Sequence, residues 1–184
     1  PLGLKQGEAL VSSRTSDTES YQQYLSALAL YHAGSDNDRA VTALEAVVAR
    51  DPSFAPGWAR LANAYTSQIS NTPAARSGSV QENRDLAVTW SPKAAAAAQR
   101  AIALDPSLPD GYFSLGLVQV RRTKLLLAGE LFSKGLALDP NNSTGLNVQR
   151  NFLAAVGRLK EAGAVTQKLR ALDPFAPGSN SNAS

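Results

Sequence analysis

Four Asp-Pro pairs punctuate this chain at regular distances. Asp51-Pro52 and Asp105-Pro106 lie 54 residues apart, after which Asp105-Pro106, Asp139-Pro140 and Asp173-Pro174 step by 34. A 34-residue period marks stacked helix-turn-helix units. Such a unit is too small to bury its own apolar face and must lend that face to its neighbours, so the repetition constrains the whole fold. Function is then expected on extended surfaces, not in a catalytic pocket.

Reading backward from each Asp-Pro pair recovers one skeleton. The first unit carries Tyr24, Ala27, Leu28 and Tyr31, then Ala40, Leu44, Val47 and Pro52. The second begins with Trp58, Leu61, Ala62 and Tyr65 and finishes with Ala94, Ala98, Ala101 and Pro106. The third has Tyr112, Leu115 and Gly116, then Ala128, Phe132, Gly135 and Pro140. A fourth is looser, with Leu146, Leu153, Gly157, Ala162, Leu169 and Pro174, and it places polar Gln149 and Arg150 where the others are apolar or small. The physical logic is simple. An aromatic at the start of a first helix fills a wedge, small residues let helices approach closely, and the closing proline cannot continue the second helix.

This skeleton resembles the tetratricopeptide repeat (TPR), with its W-x-x-L-G-x-x-Y, A-x-x-x-F and P positions. The resemblance implies an all-α, right-handed solenoid of about four TPR helix-turn-helix units, spanning about residues 21–54, 55–108, 109–142 and 143–174 within a domain at 16–174. Residues 1–15 are expected to form a linker or short helix and residues 175–184 a flexible polar tail.

Boundary signals fit helix pairs. Ser16-Asp17-Thr18-Glu19 has the S-x-x-E form of a capping box, and Ser91-Pro92 places a hydroxyl before a proline suited to a first helical position. The second unit carries 20 extra residues: Tyr65 and Ala94 are 29 apart, whereas Tyr31 and Ala40 are 9 apart. Within this insertion at 70–91, the turn-forming run Ser70-Asn71-Thr72-Pro73 to Ser77-Gly78-Ser79 precedes Val80 to Trp90, which predict a short extra helix carrying Leu86, Val88 and Trp90.

Composition narrows the chemistry. The chain has 184 residues, one histidine and no cysteine, so it offers no disulfide framework, thiolate metal site or cysteine nucleophile. His32, expected on the first helix beside Tyr31, has no serine or carboxylate constellation, and no phosphate-cradling glycine motif occurs. We therefore expect no enzyme activity in this segment, no cofactor and no metal. A net charge of +3 would by itself suit nucleic acid, but the only tight cluster, Arg121-Arg122-Thr123-Lys124, falls at a helix end, where cations complement the helix dipole. Nucleic acid is thus not an expected partner. No stretch approaches the about 18 to 20 apolar residues of a membrane span, so no membrane contact by this segment is expected. The chain opens Pro1-Leu2-Gly3-Leu4 and contains no methionine, which points to a piece of a longer product.

In TPR stacks the first helix of each pair lines the concave face. The resemblance implies an inward row here of Leu25, Ala29 and His32; Ala59, Arg60, Asn63 and Ser67; Phe113, Ser114, Leu117 and Arg121; then Asn147, Val148 and Asn151. Asparagines can bond a peptide backbone, arginines hold carboxylates, and Phe113 with Leu117 offers an apolar anchor. The groove is expected to bind a protein or peptide. Chaperone-binding TPR domains clamp a terminal carboxylate with lysines and asparagines; Leu25 and Ala29 stand at the first unit's positions, so that clamp is incomplete, though Arg60 and Asn63 retain anion-binding capacity.

A closer likeness extends beyond the repeat. Leu2-Gly3-Leu4, the run Arg14-Thr15-Ser16-Asp17-Thr18-Glu19-Ser20-Tyr21-Gln22-Gln23-Tyr24-Leu25, the inserted second unit, Pro92-Lys93-Ala94, and Leu172-Asp173-Pro174-Phe175-Ala176-Pro177 resemble the C-terminal TPR region of bacterial signalling proteins. There, class III adenylate/guanylate cyclases or winged-helix regulators precede such a region. The resemblance implies a regulatory interaction module of a cytoplasmic protein, or of a periplasmic one if the full-length protein is membrane-anchored. An alternative is self-association. No polar capping helix is evident after Pro174, so the apolar residues Phe152, Leu153, Val165 and Leu169 are expected to meet another copy in a homodimer, or the next domain.

Overall fold

The computed structural model describes residues 15, 17–34, 36–70 and 80–173. Among them eight α-helices follow one another: α1 (Thr18–Ala33), α2 (Asn37–Arg50), α3 (Ala55–Ser70), α4 (Val80–Leu104), α5 (Pro109–Arg121), α6 (Leu125–Leu138), α7 (Ser143–Ala155) and α8 (Leu159–Leu172). They pack as four pairs, α1 with α2, α3 with α4, α5 with α6 and α7 with α8.

Local chemistry accounts for the joints. At three Asp-Pro turns the aspartate carboxylate accepts the backbone N–H two residues on: Ser53 to Asp51 at 3.0 Å, Ser107 to Asp105 at 2.9 Å and Asn141 to Asp139 at 3.2 Å. The same aspartates close the preceding helix, each donating its own N–H to the carbonyl four residues back. A short polar side chain that bonds its own turn is what makes Asp suited to such a corner. The aromatic that opens the next helix ties back to the same corner, for Trp58 Nε1 donates to the Pro52 carbonyl at 3.0 Å and the Tyr112 hydroxyl to that of Pro106 at 2.9 Å. Leu146 cannot do this. In the last pair the Pro140 carbonyl instead accepts from Lys168 Nζ on α8, at 2.6 Å.

Two boundary expectations are corrected. Ser16 lies outside the described residues, and the observed cap of α1 is Asp17, whose carboxylate accepts from the Glu19 N–H at 3.0 Å. Ser91-Pro92 starts no helix either. Residues 80–90 are helical, but they continue through Pro92 into the second helix of the pair as one 25-residue element. Proline's fixed φ suits a helix; its cost is the missing N–H to Val88, a residue at the exposed start of α4. Next to this break the Arg122 guanidinium donates to the Ser91 carbonyl at 3.1 Å. Trp90 stacks on Tyr65 with centroids 5.5 Å apart, and Lys93 sits 4.7 Å over the Trp90 ring. The expected N-terminal segment up to Arg14, the insertion at 71–79 and the tail at 175–184 lie outside the described residues.

The core divides in two. A larger cluster joins α1 to α4 through Ala27, Leu44, Leu61, Ala62, Tyr65, Ala94 and Ala98 and reaches Val118 on α5; a smaller one holds Phe113, Ala128 and Phe132. The smaller core depends on glycine. A Cβ on Gly116 would lie 2.3 Å from the Phe132 ring, and Cβ atoms on Gly135 and Gly145 would lie 2.4 Å and 2.1 Å from that of Phe113. No side chain fits at such distances.

Curvature follows from which helices meet. Consecutive first helices touch, α1 on α3, α3 on α5 and α5 on α7, whereas no two consecutive second helices do among the described residues. The first helices therefore lie on the inside of the bend and the second helices splay outward.

Candidate functional site

The inner face begins with a polar and aromatic cluster between α1 and α3. The Arg60 guanidinium lies 5.4 Å over the Tyr31 ring, and the Tyr31 hydroxyl pairs with Ser67 Oγ at 3.4 Å. Burial pushes the Tyr24 hydroxyl above its usual range, an effect partly offset by the neighbouring Arg60, which hydrogen-bonds it. Arg60 Nε and Asn63 Oδ1 are buried without a hydrogen-bond partner among the described protein atoms. An unpaired buried donor and acceptor on one helix face are costly to leave without partners.

The other residues expected along the groove divide between surface and core. Leu25, Ala29 and His32 are exposed on α1, as are Arg121 on α5 and Asn147 and Asn151 on α7; Leu117 and Val148 are half-buried. Asn147 Nδ2 is engaged with the Ser143 carbonyl of its own helix at 2.9 Å, and Asn151 Oδ1 accepts from Arg150 at 3.2 and 3.3 Å. Phe113 is not a groove anchor. It is 2% exposed because Gly135 of α6 and Gly145 of α7 open a slot that its ring fills. Ala59 and Ser114 are buried as well, where the Ser114 hydroxyl reaches the Ala59 carbonyl at 3.1 Å and the Asp110 carbonyl at 2.8 Å. This bond seats α5 on α3, so both residues build the wall and neither lines it.

The residues expected to self-associate are less open than their hydropathy suggests. Leu153 is buried, and Phe152, edge-on to Phe132 at 5.3 Å, is half-buried like Val165 and Leu169. Sequence reasoning missed the two most exposed leucines, Leu126 at 88% and Leu159 at 68%. The signal was present in the run Leu125-Leu126-Leu127, which directly follows the basic cluster; a 14-residue helix buries one stripe, so three successive leucines cannot all face inward.

Charge is unevenly spread. Near the start of the chain the Asp17 carboxylate accepts from Arg50 Nε at 2.6 Å, and that guanidinium holds it at about 2; Arg50 also bridges Glu19 at 2.6 Å. Asp51 is kept below the usual carboxylate range by hydrogen bonds from Ser53 and Thr15. Buried Tyr65, which donates to Glu45 at 2.7 Å, is raised above its ordinary value. No group of three or more histidine, aspartate or glutamate side chains suited to a metal ion occurs among the described residues, and no described helix is long and apolar enough to cross a membrane.

A solved structure shares this arrangement of helices. The thermophilic TPR protein TTC0263 of Thermus thermophilus, 19% identical, superposes with a TM-score of 0.71 over 86% of this chain and 76% of its own. The fold is a TPR-like helical solenoid. MamA from MSR-1 is 18% identical with a TM-score of 0.49, over 88% of this chain and 82% of its own; MamA from AMB-1 is 19% identical at 0.47, over 88% and 79%. No protein-family model matches the chain, and no curated protein does.

Proposed function

We propose that this chain is a non-catalytic protein-recognition module whose inner face, built by α1, α3, α5 and α7, takes a peptide or a segment of a partner protein. The observation that supports it most is the Arg60 and Asn63 pair, cation and amide on one helix face beside Tyr24 and Tyr31. Exposed Leu25 and Ala29 lie before it along the chain, and half-buried Leu117 with exposed Arg121, Asn147 and Asn151 after it. An aromatic and aliphatic floor with a few polar groups fits recognition better than a purely solvated surface would. The likeness of its flanking runs to signalling proteins favours a regulatory role beside a cyclase or transcription-regulator domain.

A displayed random-peptide library tests the reading. Enriched peptides should lose capture when Arg60→Glu and Arg121→Glu are introduced, with circular dichroism melting showing that the variants remain folded. Peptides captured equally by the folded charge-reversed chain would refute the inner-face site.

A further inference from the structure

Helix α4 is two segments in one element. Its C-terminal part is locked in place, with Ala94, Ala95, Ala97, Ala98 and Ala101 all buried. The first buried residue of the helix is Ser91. From Val80 to Trp90 every side chain is exposed or half-buried, and Val80 and Val88 are among the most open apolar residues described. Helices in proteins are held mainly by what they bury, so the two segments differ in what keeps them in place.

The boundary between them is a weak point of the backbone. Pro92 has no N–H, so the Val88 carbonyl loses its partner in the helical ladder, and the proline ring crowds that same carbonyl. Proline also disfavours helical φ/ψ at Ser91, the residue before it. The run Val88-Thr89-Trp90-Ser91 consists of β-branched, aromatic and hydroxyl residues, indifferent helix formers, whereas Ala94 to Ala98 beyond the proline are the best.

A latch lies across this joint. Trp90 stacks on Tyr65 of α3 with ring centroids 5.5 Å and planes 30° apart. Lys93, on the other side of the proline, sits 4.7 Å over the Trp90 ring and 5.9 Å over that of Tyr65. From the turn after α5, Arg122 donates to the Ser91 carbonyl at 3.1 Å and fixes the backbone beside Pro92.

We propose that Val80–Trp90 is a hinged strap, which opens as one body about Pro92 when Trp90 leaves Tyr65 and closes by restoring that stack. Bonds from Gln81 Nε2 to the Asp85 carboxylate at 2.8 Å and from Thr89 Oγ1 to the Asp85 carbonyl at 2.9 Å lie inside the strap and travel with it. Opening bares the Tyr65 ring, 8% exposed when covered, while its hydroxyl keeps the 2.7 Å bond to Glu45. The second pair thus has a closed state and an open one that presents both rings for contact. The nine residues that join Ser70 to Val80 reach up to about 30 Å when extended, so chain length permits the swing. The strap belongs to a second helix and does not rest on the inner-face reading.

Amide hydrogen exchange of the whole chain, resolved residue by residue by NMR, tests it. The amides of residues 84–91, whose helical acceptors all lie within the segment 80–87, should share one protection factor. They should exchange at least about a hundredfold faster than amides 96–104, which open only with the core. Trp90→Ala should speed the 84–91 block at least about fivefold and leave 96–104 within about twofold of their rate. Pro92→Ala, which restores an N–H for the Val88 carbonyl, should slow the block at least about tenfold.

Protection that rises step by step from residue 84 to residue 91 is fraying from the helix end and overturns the proposal. So does a block protected as well as 96–104, a Trp90→Ala change that speeds both blocks alike, or an 84–91 rate indifferent to Pro92→Ala.

Discussion

The third and fourth helix pairs use the same turn length and the same closing Asp-Pro, yet they bury different amounts of themselves. Helix α6 sinks Ala128, Phe132 and Gly135 between neighbours, while α8 sinks only Ala162. In a solenoid each pair is stabilised by its own intrinsic terms and by the interface to each neighbour. The third pair has described helices on both sides; the fourth has them on one. What looks like the same repeat is therefore a core element in one place and a surface element in the other.

The sharpest test replaces equivalent residues in the two pairs. Phe132→Ala should cost about 3 to 5 kcal/mol, because it removes a fully buried ring and leaves a cavity against Gly116. Thr166→Ala, 34 residues on, should change stability by less than about 1 kcal/mol, since its hydroxyl bonds only the Ala162 carbonyl of its own helix at 2.9 Å. Urea unfolding of both variants decides, and equal losses would erase the distinction between the pairs.

Glycines give the next effect. Gly145→Ala should destabilise by about 1 to 3 kcal/mol, because the new Cβ falls 2.1 Å from a Phe113 ring that has nowhere to move. Gly163→Ala on α8 meets nothing within 4 Å and should stabilise by about 0.5 to 1 kcal/mol through helix propensity. Opposite shifts in melting temperature are expected; a loss at both sites would show that α8 is packed like α6.

The turns inside these pairs differ more mildly. Thr123 holds φ 58° where the fourth pair has Gly157 at φ 80°. A β-branched residue is strained in that left-handed region, so Thr123→Gly should raise stability by up to about 1 kcal/mol, and Gly157→Thr should lower it by a similar amount. Thermal melts of the two reciprocal variants measure this. No gain from Thr123→Gly would mean that the Thr123 hydroxyl bond to the Arg122 carbonyl, at 2.7 Å, offsets the strain.

The smallest effect concerns the first pair. Arg50 lowers Asp17 from 3.8 to about 2, so the folded state binds its proton less readily than the unfolded chain does. The stabilisation is complete above the ordinary value and disappears as pH falls from there through about 2. Asp17→Asn, which can still cap α1, should flatten that part of the pH–stability curve. An unchanged acid limb would show that the exposed pair contributes nothing measurable.

Much of the fold was legible because its signals are local and repeated. Tyr24, Ala40, Leu44, Ala62 and Ala98 recur in register, and each packs between helices as its size and spacing imply. Ser91-Pro92 misled, since the same dipeptide that can open a helix can also be carried inside one whose carbonyl four residues back lies at an exposed position. The inner face was legible only in part. Position along α5 put Phe113 on the groove side, but nothing in its neighbourhood along the chain announced that glycines 22 and 32 residues later would open a slot for it.

By itself the sequence determined the Asp-Pro corners and the solenoid class, though not the start of α4, because Asp-Pro turns and small-residue spacing act within a few residues of themselves. Only the tertiary structure decided which side chains remain accessible: Phe113 inside, Leu126 and Leu159 outside, Arg60 and Asn63 half-buried with unpaired atoms. Burial is a property of a residue and its neighbours together, and in a solenoid those neighbours belong to the next repeat.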